Sequence, residues 1–554
     1  MLARVRAVSI VGLDAFPVEV ETDLRPVLPR FVIVGLPDAS LKESQERVES
    51  AIKNSDLEWP QAKIVVNLAP ADLRKEGTAF DLPIALAILC ANGQCDPASL
   101  APYLIAGELS LDGGLRSVNG VLPMALKARE LGLRGVIVPQ VNAAEAAVIR
   151  GVEVIPVEHL AQCVSWARGY TEIAPYPPRS IAELLRNAPL EADFADVKGQ
   201  EHAKRALEVC AAGAHNLLMV GPPGSGKTML AKRVPGILPD LTEEEALAVT
   251  RIYSVAGLID PALGLVTTRP FRAPHHTASI PGVIGGGSTP RPGEISLAHC
   301  GVLFLDEMPE MPRTLLETLR QPLEDGQVTI SRANLALTFP SRFMLIASMN
   351  PCPCGYYGDP VHRCTCSMGL IHSYRQRISG PLLDRIDMTI EVARLPVEKL
   401  IREESGPGAE GQGPRAEGDS SSGGVPAADS AGGRAGPAVT GGAAVPGRDP
   451  SGAETSAMVK ARVMAARERQ RLRQGAVSNS ALTSKQVKAH CKLDEPCQAL
   501  LKRAAERLGL SARAYERIRK VARTIADLEG SEHISVPHLA EAIQYRSGEE
   551  RLRG

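Results

Sequence analysis

The sequence predicts a multidomain protein: an α+β unit at the N-terminus, an α/β core, and an all-helical unit at the C-terminus. Three observations lead there. Short apolar runs alternate with helical periodicity over residues 1–170. Further on, the apolar run 217–220 feeds the turn Gly221-Pro222-Pro223-Gly224-Ser225-Gly226-Lys227-Thr228, and the run 302–305 ends on Asp306 and Glu307. Beyond residue 456 only helical patterns remain.

In chain order, residues 31–34, 63–66 and 135–138 read as strands, and 40–54 and 122–131 as helices. Pro175, Pro177 and Pro178 mark a linker out of the first domain, 1–170. The core domain spans 180–396. From 404 to 456 the chain has no Leu, Ile, Phe or other aromatic residue, so it cannot bury enough apolar surface to offset its ordering entropy and is expected to be disordered. The last domain, 457–554, opens on a basic helix at 458–474, followed by helices near 483–491, 498–508, 512–528 and 536–545.

Composition narrows the partners. A net charge of −1 gives no global attraction to nucleic acid, so any such contact must come from local basic patches. Aromatic residues at 3% make base stacking a poor basis for recognition. Asp14 and Glu19 interrupt the start as a leader sequence, and the apolar stretch 82–90 is too short to span a bilayer. The eleven cysteines are mostly scattered, unlike a secreted disulfide framework. A soluble cytoplasmic protein with no membrane partner is expected.

The turn at 221–228 fits G-x-x-x-x-G-K-[ST], whose backbone N–H groups close around phosphates. Lys227 is expected on the β- and γ-phosphates, and Thr228 and Asp306 on Mg2+. Glu307 would then orient and polarise the attacking water. Together these residues predict ATP or GTP hydrolysis. A third strand, 344–350, ends in Asn350, which either reaches the γ-phosphate or the attacking water, or serves only the turn before Pro351.

Cys352, Cys354, Cys364 and Cys366 form C-x-C-x9-C-x-C, a tetrahedral zinc set in an insert at 352–366; a regulatory disulfide or plain packing are the alternatives. Gly-rich 281–290, flanked by Arg272, Arg291 and a strand signal at 294–297, reads as a projecting loop or hairpin. A second hairpin is expected from 327–330 and 335–338, with Arg332 at its tip either gripping a phosphate backbone or simply solvated. The helix 458–474 is a further DNA candidate, or a solvated one. His275 and His276 lack the companions of a metal site and read as structural or interface residues.

The P-loop, the Asp-Glu strand, the strand ending Asn350-Pro351 and Pro381-Leu-Leu-Asp-Arg-Ile-Asp387 together resemble an AAA+ ATPase of the magnesium-chelatase-like group. Arg269-Pro-Phe-Arg-Ala-Pro-His-His-Thr-Ala-Ser279, Arg291-Pro-Gly-Glu-Ile-Ser-Leu-Ala-His299, Ser511-Ala-Arg-Ala-Tyr515 and Lys520-Val-Ala-Arg-Thr-Ile-Ala-Asp-Leu528 resemble the YifB/ComM group of bacterial competence-related proteins over nearly the whole chain. The resemblance implies Asn350 as sensor 1, Arg385 as an arginine finger for a neighbouring subunit and Arg513 as sensor 2 on a helical lid. It also implies a homohexamer acting as an ATP-driven helicase or branch-migration translocase on single-stranded or branched DNA, in recombination during natural transformation.

Residues 67–83, 113–116 and 138–142 resemble the Lon proteolytic domain, a fold shared with the second domain of ribosomal protein S5. Ala79 stands where that family has its Ser nucleophile and Met124 where it has its Lys, so a non-catalytic domain is implied. A magnesium-chelatase-type metal insertase, an unfoldase or chaperone, and a nucleotide-gated scaffold are the competing readings.

Overall fold

The structure is a computed structural model and describes residues 2–36, 38–73, 75, 77–188, 192–287, 290–332, 335–394 and 454–553. At the N-terminus, β1 (Leu2–Val11) and β2 (Asp14–Arg25) form an antiparallel hairpin with Val11 opposite Asp14. Gly12 supplies the positive φ of +64° that the two-residue turn needs. β3 (Arg30–Val34) runs parallel to β4 (Lys63–Ala69), giving the order β1-β2-β4-β3. Asp38 caps α1 (Ala39–Asn54), its carboxylate accepting the Leu41 N–H. The apolar stretch that was too short for a membrane becomes α2 (Asp81–Ala91), buried on every side. Asp81, at its first residue, is buried with it and ion-paired to Arg47 at 2.8 Å. A second, parallel sheet joins β5 (Tyr103–Ile105), β6 (Gly135–Pro139) and β7 (Glu153–Val157), with α3 (Val121–Glu130) packed on β6.

The core holds α4 (Glu201–Gly213), β8 (Leu217–Val220), α5 (Lys227–Arg233), α6 (Glu243–Ala256), β9 (Phe271–Arg272), β10 (Val302–Leu305), β11 (Gln327–Arg332), β12 (Leu335–Pro340), β13 (Met344–Met349), α7 (Met368–Arg375) and β14 (Met388–Glu391). Five of these strands make a parallel sheet in the order β9-β10-β13-β8-β14. β8, β10 and β13 are buried throughout, which is why they read in sequence as apolar runs, broken only by Ser348 in β13. β11 and β12 pair antiparallel as the expected hairpin, Arg332 opposite Leu335, with residues 333 and 334 outside the described residues.

The C-terminal helices are α8 (Ser456–Gln474), α9 (Ser484–His490), α10 (Glu495–Leu508), α11 (Ala512–Leu528) and α12 (Val536–Arg553). One apolar cluster runs from Phe194, Leu217 and Phe304 of the core to Val463, Ile525 and Tyr545 of these helices, so the helical unit shares a core with the sheet. A separate cluster joins Val121 and Ala147 of the N-terminal unit to Leu241, Ala246 and Leu265.

Several expectations are corrected. Residues 294–297 are a helical turn, not a strand: the Leu297 N–H donates to the Gly293 carbonyl and the Ala298 N–H to Glu294, both at 2.9 Å. The turn aims Glu294 at Arg272, which it binds through both oxygens at 2.6 and 2.7 Å, so Arg272 is not a free cation. The Gly-rich stretch opens on a short helix, Ile280–Ile284, and then forms the expected hairpin, Gly285–Gly286 pairing antiparallel with Arg291–Pro292; 288 and 289 lie outside the described residues. The expected disordered segment lies outside the described residues up to 453; from Glu454 the chain is described. There Thr455 caps α8 and Ser456 Oγ accepts the Phe194 N–H at 2.8 Å, starting the helix two residues earlier than its basic run suggests.

Five of the six cations of α8 turn inward, Arg471 remaining exposed. Lys460 pairs with Asp240 and Arg462 with Glu208 and Glu454. Arg469 donates to the Asp527 carbonyl at 2.7 Å, Arg473 pairs with the Asp527 carboxylate at 2.6 Å, and Arg467 donates to the Ala211 carbonyl. These contacts fasten the helix to the core and account for its basic composition without nucleic acid.

Candidate nucleotide site

In an open α/β sheet, ligands bind beyond the carboxyl ends of the strands. Here β8, β10 and β13 deliver Gly221, Asp306 and Asn350 to that edge side by side. The Gly221 N–H donates to the Met349 carbonyl at 3.1 Å. A Cβ at Gly221 would lie 2.2 Å from the Val392 carbonyl oxygen, so only glycine fits. Gly224 and Gly226 take φ of +75° and +89°, turning successive N–H groups into the concavity. Ser225 Oγ is buried there with no hydrogen-bond partner among the described residues.

Lys227 closes the loop. Its ammonium donates to the carbonyls of Gly221 at 2.8 Å and Pro222 at 2.9 Å and stands 3.4 Å from Asn350 Oδ1. Burial pushes its pKa down, and Asp306 and Glu307 pull it back up. Thr228 Oγ1 donates to Asp306 Oδ2 at 2.7 Å. That hydroxyl–carboxylate pair is a hard-oxygen set that fits Mg2+. Bound there, the ion would be held by Thr228 and Asp306 and would neutralise phosphate charge.

Asp306 is itself fixed by Ser348, whose hydroxyl donates to Asp306 Oδ1. Ser348 Oγ also accepts the Glu307 N–H at 3.2 Å. Glu307 sits at φ +49°, a left-handed conformation costly for a non-glycine residue. Its half-exposed carboxylate is thereby thrown off the strand line, 3.9 Å from His276 Nδ1.

Arg385 lies elsewhere. It precedes β14, whose Met388 pairs with Leu217, the first residue of β8, and its carbonyl accepts from Asn216 Nδ2 at 2.9 Å. It therefore sits at the amino edge of the sheet, about 13 Å of strand away from its own phosphate loop. Its buried guanidinium donates to the Pro381 carbonyl at 2.6 Å and pairs with Glu324; Arg513, at the start of α11, is 3.7 Å from the same carboxylate. The hydrogen bond from Arg385 and the charges of both arginines hold Glu324 below its usual pKa.

Residues 193–400 match the family model described as magnesium chelatase, subunit ChlI; 20–142 match that of subunit ChlI of Mg-chelatase; 453–546 match that of its C-terminal part. The chain is 42% identical to the competence protein ComM of Haemophilus influenzae over 550 residues, covering 99% of this chain and 97% of that one. It is equally 42% identical to the uncharacterized protein YifB of Escherichia coli over 547 residues, with the same coverage. The chain belongs to the YifB/ComM family of magnesium-chelatase-like AAA+ ATPases. ATP and Mg2+ are the ligands that this family implies.

The YifB/ComM chain carries a second cluster beside the first. Cys352, Cys354, Cys364 and Cys366 place their sulfurs within 4.8 Å of one another, with Cys352 3.3 Å from Cys354 and 3.7 Å from Cys364, and Cys354 3.6 Å from Cys364. A tetrahedral zinc–thiolate site with bonds of about 2.3 Å has sulfurs about 3.8 Å apart, so the four residues fit that ion. No cysteine is in a disulfide.

Sequence reasoning missed three residues here. Ser348 was signalled only as a polar residue in an apolar strand, two positions before Asn350 and so on the same face. Glu324 carries no local signal, because its partners are 61 and 189 residues downstream by the numbering. His276, given a structural or interface role, faces the Glu307 carboxylate.

Proposed function

We propose that this chain is an ATP-driven ring motor acting on DNA, a helicase or branch-migration translocase, and that it serves homologous recombination of incoming DNA. The observation that carries this reading is the separation of the two halves of the catalytic set. Lys227, Thr228, Asp306, Glu307 and Asn350 gather at the carboxyl edge of the sheet, while Arg385 and Arg513 gather at the amino edge. An arginine out of reach of its own phosphates serves those of a neighbour, which requires a ring of like subunits, a homohexamer in our reading. In that ring Lys227 and the loop 221–228 bind phosphates, Thr228 and Asp306 hold Mg2+, Glu307 orients water, Asn350 senses the γ-phosphate as sensor 1, and Arg385 and Arg513 act as finger and sensor 2.

The hairpin β11–β12 is assigned to the pore, with Arg332 on the DNA backbone. The zinc insert at 352–366 is structural, since four thiolates leave no open position. Residues 1–170 form a Lon-protease-like, ribosomal S5-like domain without catalysis: Met124 is fully buried and Ala79 packs against the same apolar cluster, and neither supplies a nucleophile or a base. The domains 180–396 and 457–554 complete the motor. Four clustered thiols at metal-ligand spacing favour a reducing, cytoplasmic setting. The competence role follows the relative named for it. No helix among the described residues is long and apolar enough to cross a membrane.

The test is ATP turnover and strand displacement on single-stranded, duplex and four-way-junction DNA, for the parent, Lys227→Ala and Arg332→Ala. Expected are DNA-stimulated turnover in the parent, none in Lys227→Ala, and weakened stimulation with a shallower salt dependence in Arg332→Ala. Turnover indifferent to every DNA would refute the motor. The competing metal-insertase reading, favoured by the match to magnesium-chelatase models, predicts stimulation by a porphyrin instead.

A further inference from the structure

The cysteine cluster does not stand apart from the phosphate loop. The segment between β13 and α7 runs from Asn350 to Ser367 without regular secondary structure. A loop of that length is costly to hold in one shape unless something cross-links it. It starts at Asn350, whose amide oxygen is 3.4 Å from Lys227 Nζ. Two residues on, Cys352 is fully buried, and its carbonyl accepts the Gly355 N–H at 3.0 Å. Gly355 takes φ +86°, and a Cβ there would lie 2.6 Å from Pro223 Cδ and 2.7 Å from Pro223 Cγ. The backbone of the cysteine loop thus lies directly on a residue of the phosphate loop. Arg375 donates to the Pro351 carbonyl at 3.3 Å and stacks over Tyr357 at 5.3 Å, two contacts that add to the loop's anchorage.

We propose that zinc bound by Cys352, Cys354, Cys364 and Cys366 presses Gly355 against Pro223 and thereby holds the phosphate loop in its nucleotide-binding shape, so that metal occupancy sets nucleotide affinity. This rests on the reading of 221–228 as the ATP site. Each thiol gives up its proton to solvent as it binds, and four thiolates complete the tetrahedron. Loss of the ion frees Cys364 and Cys366 from Cys352 and Cys354, releases the turn at Gly355, and lets Pro223 and the adjacent N–H groups relax. Binding must then restore that order, which weakens it.

The experiment uses the full chain. Zinc is counted by elemental analysis, and affinity for a fluorescent ATP analogue is measured in the parent, in the parent after chelation, in Cys364→Ser and in Gly355→Ala; circular dichroism reports folding. Expected are close to one zinc per chain in the parent, affinity lower by about tenfold after chelation with recovery on adding zinc alone, and a comparable loss in Cys364→Ser. Gly355→Ala keeps all four thiols and tests the contact without removing the metal: zinc content holds while affinity falls. Where Cys364→Ser unfolds, chelation and Gly355→Ala decide. Zinc absent from the parent, or affinity unchanged by both chelation and Gly355→Ala, overturns the proposal. A parent that holds zinc but binds no ATP analogue overturns it by removing the nucleotide reading beneath it, a result told apart from the others by its intact metal content.

Discussion

Glu307 shows how much of the site depends on single backbone and side-chain positions. Its left-handed φ is held by the bond from its N–H to Ser348 Oγ on the neighbouring strand β13. Replacing only the charge should leave ATP binding intact. We expect Glu307→Gln to bind the fluorescent ATP analogue as the parent does while steady-state turnover falls by roughly 10²–10⁴-fold, the usual contribution of such a base. Lys227→Ala should lose binding itself. His299 gives the pH dependence. Its Nδ1 accepts the Arg342 N–H at 3.1 Å, and burial, with the charge of Arg342, lowers its pKa to about 4. The unfolded chain takes up that proton near the ordinary value of about 6.5. Between those values the unfolded state binds more protons, so stability falls as pH drops from about 6.5 to about 4 and levels below it, by up to about 3 kcal/mol. The urea midpoint measured at pH 7.5 and pH 5 should show this loss. His299→Asn keeps an acceptor without a titrating ring and should flatten it.

At the scale of elements, legibility followed locality. The strands of the core were readable because a strand buried on both faces is a largely apolar run; Asp306 could be named because it ends such a run, and Thr228 because it closes the phosphate-loop pattern that follows one. The turn at Glu294–Leu297 was misread because polar and apolar residues alternate over it, as in a half-buried strand; four residues do not separate period 2 from period 3.6. α8 was readable as a helix but not as to its partners, because those lie more than 200 residues away for Lys460 and Arg462 and 54 away for Arg473. Those partners make a prediction. Asp527, 1% exposed, accepts from Arg473 at 2.6 and 2.9 Å, from Asn479 at 2.8 Å and from the buried Arg523 at 3.1 Å. Asp527→Ala leaves Arg473 of α8 and the buried Arg523 of α11 without their carboxylate and should cost about 3–5 kcal/mol. Hydrogen exchange should show α8 and α11 losing protection while β1–β4 keep theirs. Arg471→Ala removes an exposed pair with Glu468 on the same helix and should leave the exchange pattern unchanged.

For the whole molecule, the decisive geometry is that a four-residue strand separates Arg385 from its own phosphates while Glu324 joins it to Arg513. Glu324 lies three residues before the hairpin β11–β12. If the finger is supplied by a neighbour, two dead proteins should repair each other. Lys227→Ala retains its finger and Arg385→Ala retains its phosphate loop. Mixed in equal amounts and assembled at random, they form rings in which half the loops are intact and half the fingers are intact, so about a quarter of the interfaces carry both. The mixture should therefore recover up to about a quarter of parental ATPase activity, while either variant alone stays near background. A finger acting within its own subunit gives no recovery at any ratio. The Lys227→Ala, Arg385→Ala double variant, added in place of either partner, should abolish the recovery, which separates repair across an interface from a trace of active parent.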